Sequence, residues 1–542
     1  MSRTLPCSVA VMISITNPIT ERTAPSRWVS ALTGSRSRSR IPNSSRSLYI
    51  LYIVRLKSIR AVTLVSAVSF GACVSTPARS PVGTAATIDR APIVVHAWLT
   101  TGDQSRLLSP EPDLYLTLDT MAVESGVSAI DLDARTSYQQ IVGFGAAMTD
   151  ASAYLFMHRM PAKARESVMR DLFGRDNGIG LSIVRVPMGA SDFSLRHYSY
   201  DDMPPSESDS ALTRFSIDED RAEKIPLLKH ALAINPQLKL TASPWSPPAW
   251  MKSSGSLIKG TLLPRYYDSF SDYFVKFIQA YGAEGLPIYA IMVQNEPHFE
   301  PDDYPGMRLE PAARAQVIGR HLGPRLERAG IKTFIWDWDH NWDQPQSPLD
   351  VLADSVARKY VQGVAWHCYG GDVSAQSKVH DAFPDKDAWF TECSGGDWAT
   401  NFGDNLKFNV GTLVIGGTRN WARGVSLWNL ALDEKFGPHK GGCGNCRGVV
   451  TVDSRTGVYT RNVEYFSLGH ASKFVLPGAY RIKSESADTT LAHVAFRNPD
   501  GYTKVLIVLN TVKEPRTFVV RAAGRSLRYT LPAASVITFV WG

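Results

Sequence analysis

The chain has 542 residues, 44% of them hydrophobic and 20% charged, which is an ordinary globular composition with material for one large core and a second domain. That composition excludes a disordered or fibrous protein. The formal net charge of +7 traces to an N-terminal stretch where Arg36, Arg38, Arg40, Arg46, Arg55 and Arg60 face one acid, Glu21, so no nucleic-acid partner is expected.

Residues 1 to about 53 are rich in Ser, Arg and Pro without a sustained helical or strand period, and no fold is expected there. Arg55, Lys57 and Arg60, the apolar run 61–70 and then Gly71-Ala72-Cys73 have the order of a signal peptide. The run is too short to span a membrane stably. Small residues ending in a cysteine resemble the cleavage site of bacterial lipoproteins, with Cys73 as the lipidated residue. The expectation is an exported protein, periplasmic, secreted or lipid-anchored through Cys73, with translation starting near Val54. Residues 1–91 are thus a leader.

Six cysteines are present: Cys7, Cys73, Cys368, Cys393, Cys443 and Cys446. The pair Cys443 and Cys446 lies in a Gly-rich loop with no second CxxC, so a four-cysteine zinc site is unavailable and a local disulfide is expected instead.

Short alternating β-type runs fill 92–135 and 475–542, and are expected to pair into one β-sandwich built from both chain ends. Between them, eight apolar runs follow in order: 141–147, 181–186, 238–242, 288–293, 333–338, 363–366, 388–391 and 424–430. The intervening segments have helical period, as in Tyr266, Phe270, Phe274, Phe277 and Tyr281. Eight βα units predict an α/β fold, a (β/α)₈ TIM barrel over 136–474 with the β-sandwich attached.

Polar and aromatic residues cluster where each run ends: Thr149 and Asp150, Arg185, Pro244 and Trp245, Asn295 and Glu296, residues 337–341, His367 and Tyr369, Glu392, then Trp428 and Asn429. In such a barrel these ends converge on one pocket. Glu296 ends the fourth run and Glu392 the seventh, so they face each other across the mouth. Two carboxyl groups about 5–5.5 Å apart can hydrolyse a glycoside with retention, one attacking the anomeric carbon while the other protonates the leaving oxygen. Repulsion between them separates their pKa values, so that one stays protonated near neutral pH. This chemistry needs no cofactor and no metal.

Seven stretches carry a resemblance. They are 139–150 (QQIVGFGAAMTD), 184–188 (VRVPM), 242–252 (ASPWSPPAWMK), 294–297 (QNEP), 365–369 (AWHCY), 390–393 (FTEC) and 428–432 (WNLAL). Together, in this order, they resemble glycoside hydrolase family 30, the glucosylceramidase family. The resemblance implies Glu296 as acid/base and Glu392 as nucleophile. It implies Asn295 on the sugar 2-hydroxyl, Asp150 accepting from outer hydroxyls, and Trp245 and Trp428 as walls of the sugar site. Tyr369 would orient the nucleophile, and Arg185 would support its charge; His367 and Asn429 complete the expected substrate-binding set.

Two departures concern the aglycone. Animal members have His-Trp-Tyr where this chain has His367-Cys368-Tyr369, and 337–343 (DWDHNWD) looks like the bacterial and fungal members that cut β-1,6-glucans. The expected substrate is a β-glucoside, either a glucan or a glucosyl lipid. A barrel hydrolase for a β-xyloside or β-galactoside, and a non-catalytic glycan receptor, are the alternatives, since fold and carboxylates alone do not choose the sugar. Oligomeric state is not legible in the sequence.

Overall fold

The computed structural model describes residues 91–119 and 127–542. The leader, the signal-peptide-like segment 55–73, Cys7 and Cys73 lie outside the described residues.

Besides the two-residue strand Ser109–Pro110 at the edge beside β1, three N-terminal strands come first, β1 (Ile93–Thr100), β2 (Leu114–Leu118) and β3 (Ser128–Gln140). Eight barrel strands follow: β4 (Gly143–Ala147), β5 (Ile183–Pro187), β6 (Lys239–Ser243), β7 (Ile288–Met292), β8 (Phe334–Asn341), β9 (Val361–His367), β10 (Asp387–Glu392) and β11 (Ala422–Leu427). They close into one parallel barrel in chain order. Six strands end the chain: β12 (Tyr480–Glu485), β13 (Leu491–Arg497), β14 (Lys504–Asn510), β15 (Arg516–Ala522), β16 (Arg525–Leu531) and β17 (Val536–Trp541).

Strand alternation sorts the barrel residues into two sets. Ala290, Met292, Trp336, Ala365 and Trp389 form one buried cluster, with the Trp336 and Trp389 rings stacked 4.0 Å apart. Their neighbours Ile291, Ile335, Val364 and Phe390 belong to the large cluster shared with the surrounding helices. The barrel is therefore a packed core and only its mouth is open to a substrate. Outside it, helix Tyr267–Ala283 buries Phe270, Phe274, Phe277 and Tyr281, the stripe seen in the sequence.

Both chain ends build the second sheet. Its order is β1-β17-β14-β13-β12-β3-β15-β16-β2, and β2 pairs back onto β1, so the sheet closes on itself. The same alternation joins it to the barrel. In β14, Leu506 and Val508 face the sandwich core, whereas Val505, Ile507 and Leu509 enter the barrel's core. A strand buried on both faces reads as a continuous apolar run, as this one does. Helix Val463–Ser472 is buried along its whole length, and its His470 bridges Thr100 of β1 and Thr538 of β17 at 2.8 and 2.9 Å.

Most strand ends lie one to three residues from the expected ones, and three shifts matter here. Strand β3 runs to Gln140, so the sandwich reaches past residue 135 and hands the chain to the barrel within a few residues. Strand β8 extends to Asn341. The last expected run stops at Leu427, because Asn429 adopts a left-handed backbone, φ 63°, and leaves the barrel wall.

Candidate active site

The strands deliver their end residues to a cavity of about 800 Å³ lined by Glu296, Glu392, Asp192, His340, Asn341, Tyr369 and Trp428. Three backbone positions at its base are strained: Glu296, Trp338 and Asp339 have φ of 47°, 78° and 55°. Side chains other than glycine adopt this region at a cost, and such residues gather at functional sites. Here the strain is locked by a backbone hydrogen bond from Glu296 N–H to the Asp339 carbonyl at 3.0 Å.

Arg185 is the electrostatic hub. Fully buried in the middle of β5, it donates from Nη1 to Glu392 Oε2 at 2.6 Å, and from Nη2 to Asn295 Oδ1 at 2.8 Å and Asp339 Oδ2 at 2.6 Å. Its guanidinium also lies 4.9 Å from the Trp245 ring and 5.4 Å from that of Trp428, a cation–π arrangement. Asp339 accepts further bonds from Ser243 and Thr391, both at 2.8 Å. Burial opposes its charge, yet Arg185 and His367 hold this carboxyl far below the usual range.

His367 sits between the two glutamates. Its Nδ1 lies 3.3 Å from Glu296 Oε1 and 3.8 Å from Glu392 Oε1, and its Nε2 3.1 Å from Asp339 Oδ1. The two glutamate oxygens are thus no farther apart than the sum of the first two contacts, about 7 Å. Against burial, the Glu392 charge and the bonds to Asp339 and Glu296 push His367 up to about 9.

The balance of the pair differs from the expected one. Burial raises Glu392 above the usual carboxylate range, helped by repulsion from Glu296 and opposed by His367 and Arg185. Burial also works on Glu296, but the His367 hydrogen bond and the His340 and His367 charges outweigh it and hold Glu296 low. His367 hydrogen-bonds Glu296, whereas Glu392 feels the repulsion of both Glu296 and Asp339. His367, protonated below about 9, thus stands one hydrogen bond from the Glu296 carboxylate.

Tyr369 donates its hydroxyl to Glu392 Oε1 at 3.0 Å. Next to these residues Cys368 and Cys393 form a disulfide, as do Cys443 and Cys446 at the cavity wall. The second was expected; the first was not. Trp428 walls the cavity, and Trp245 stacks on it at 4.9 Å. Asn429 is buried and accepts from Thr149 Oγ1 at 2.8 Å.

Asp150 begins the helix that follows β4. Its carboxylate pairs with the buried Lys224 ammonium at 2.8 Å and accepts from Tyr198 and Ser194, so it is engaged in neutralising a buried charge. A further carboxyl lining the cavity is Asp192, in the loop after β5. Burial, then the nearby Glu392 charge, pushes it up to about 8; Trp428 Nε1 donates to its Oδ2 at 3.4 Å. Its Oδ1 has no protein partner. No periodicity marks a loop residue of this kind, and the sequence offered no signal for it. Asp339 and His340 lay within the polar stretch 337–341, without an assigned role. A metal ligand set was not seen in the sequence either, yet Glu296, His340 and His367 bring three donor atoms within 4.8 Å of one another.

Residues 141–475 match the glycosyl hydrolase family 30 TIM-barrel domain and residues 478–539 the family 30 β-sandwich domain. The chain belongs to glycosyl hydrolase family 30. It is a glycoside hydrolase. Family 30 relatives include the endo-1,6-β-D-glucanase neg1 of Aspergillus fumigatus, 35% identical over 74% of this chain and 85% of the relative. The lysosomal acid glucosylceramidase of Mus musculus is 31% identical over 76% of this chain and 83% of the relative. Among solved structures, the endo-β1,6-glucanase BT3312 superposes with a TM-score of 0.75 at 32% identity, covering 83% of this chain and 99% of that one.

Proposed function

We propose that this family 30 enzyme is a retaining β-glucosidase that cleaves β-1,6-linked glucan, with Glu392 as nucleophile and Glu296 as acid/base. Glu392 attacks the anomeric carbon while Glu296 takes a proton from His367 Nδ1, delivers it to the departing glycosidic oxygen and is left as a carboxylate. The glycosyl ester neutralises Glu392. Glu296 then takes a proton from water, the water oxygen bonds to the anomeric carbon, and Glu392 leaves as a carboxylate. Arg185 occupies Asn295 Oδ1, leaving the amide NH₂ to donate to the sugar 2-hydroxyl. Asp192, neutral below about 8, can both donate to and accept from a hydroxyl of the same sugar.

The choice of a glucan rests on the cavity mouth. Phe299, Tyr369 and Trp398 line it and are 46%, 47% and 56% exposed, with Asp302, Asp303 and Asn341 set among them. Rings that stack on C–H faces beside groups that hold hydroxyls suit a sugar chain, whereas a ceramide needs a continuous apolar landing. Similarity to two enzymes named as endo-1,6-β-glucanases supports the same reading.

The test compares the protein with its Glu392→Gln variant on a β-1,6-glucan and on glucosylceramide vesicles, following the product anomer by NMR. The expected outcome is β-anomer first, preference for the glucan, and loss of hydrolysis in the variant. Inverted product removes the roles given to the glutamates, and preference for the vesicles removes the glucan.

A further inference from the structure

We propose that Glu296, His340 and His367 form a binding site for a borderline-soft divalent cation, zinc above all, whose occupancy shuts the hydrolase off. The donor set is two imidazoles and one carboxylate, a combination that suits zinc and leaves a fourth coordination position for water or substrate. Its spacing matches. Glu296 Oε1 lies 3.3 Å from His367 Nδ1 and 3.5 Å from His340 Nδ1. A tetrahedral ion with bonds of about 2.0–2.1 Å needs ligand atoms roughly 3.3 Å apart. The two rings are set at 74° with centroids 6.2 Å apart, so both Nδ1 atoms approach one point without the rings clashing.

A second observation concerns His340 alone. The residue is 7% exposed, and its Nδ1 has no hydrogen-bond partner. A buried ring nitrogen left without a partner is costly, and this one is turned toward the Glu296 carboxylate. A cation at that point satisfies it.

The outer surroundings also fit. A metal-binding histidine commonly gives its other ring nitrogen to a carboxylate, which sets the ring's orientation. His367 Nε2 lies 3.1 Å from Asp339 Oδ1, and Asp339 is itself held by Arg185, Ser243 and Thr391. Glu296 and His340 both line the cavity, so an ion has a path in and its fourth position faces the substrate. Once Glu296 Oε1 is coordinated it cannot carry a proton to the leaving oxygen. Inhibition therefore rests on the role proposed for Glu296; binding does not.

The experiment titrates the chelator-stripped protein with zinc chloride by calorimetry, and follows hydrolysis of nitrophenyl β-glucoside with and without EDTA. One zinc per chain is expected at the site, with at least about a tenfold fall in hydrolysis that EDTA reverses. His340→Phe, or His340→Asn should the bulkier ring disturb folding, is expected to weaken zinc binding at least about tenfold. X-ray absorption of the zinc-loaded protein should show two imidazole shells. No binding up to millimolar zinc, or equal zinc affinity in both His340 variants and the parent, overturns the proposal. A parent that hydrolyses glucoside yet ignores zinc sinks the cation site alone. Zinc bound through His340 by a protein that hydrolyses no glycoside upholds the site and removes the role given to Glu296.

Discussion

Asp192 shows how one side chain's surroundings set its chemistry. Burial and the Glu392 charge push its carboxyl up to about 8, so it is neutral over the range in which Glu392 must be charged. Above that value a second negative charge appears beside the nucleophile, and the group can no longer donate to the sugar. The sign follows: activity attributable to Asp192 is complete at lower pH and is lost as pH rises through about 8. In a kcat/KM profile the parent should fall on the alkaline side near that value. Asp192→Asn keeps a donor and an acceptor but cannot ionise, and should lack that fall. An alkaline limb unchanged in the variant would assign it to another group.

At the scale of elements, the Cys368–Cys393 disulfide ties the ends of β9 and β10 together. Cys368 lies between His367 and Tyr369, and Cys393 follows Glu392, so the bond joins the strand ends that carry the proposed nucleophile and two of its partners. Closing a loop of sequence separation 25 stabilises the fold by about 3.5 kcal/mol in the chain-entropy account. Cys393→Ser should lower the melting temperature accordingly. It should also lower kcat more than KM, because the Tyr369 hydroxyl bond to Glu392 at 3.0 Å loses its anchor. A variant that melts earlier while keeping its kcat would confine the disulfide to stability. The CxxC pair was legible because its two cysteines are neighbours in sequence; Cys368 and Cys393 meet only because parallel strands β9 and β10 pair.

At the scale of the whole molecule the barrel's core reaches onto one face of the sheet, since Val505, Ile507 and Leu509 of β14 and Val494 and Phe496 of β13 belong to the barrel's cluster, while the other face packs a core of its own. Ile507→Ala should therefore cost about 2–5 kcal/mol, although the residue lies in the sheet and far along the chain from either glutamate. Heating followed by tryptophan fluorescence and by activity should give one shared transition at a lowered temperature. Two separate transitions would show that sheet and barrel unfold independently.

Local pattern decided much of this protein. Eight apolar runs with polar ends announced the barrel, the end of the fourth and seventh runs singled out Glu296 and Glu392, and alternation at both termini announced the sheet, because these signals repeat along the chain with the period of the backbone itself. What pattern cannot carry is the meeting of residues from different loops and strands. That Asp192 reaches the cavity while Asp150 is held by Lys224, that Trp245 stacks on Trp428, that His367 leans toward Glu296 and that His340 completes a set of three donors all depend on packing across the barrel mouth. Distances of a few ångströms between residues far apart in sequence set these charges and contacts, and only the closed barrel supplies those distances.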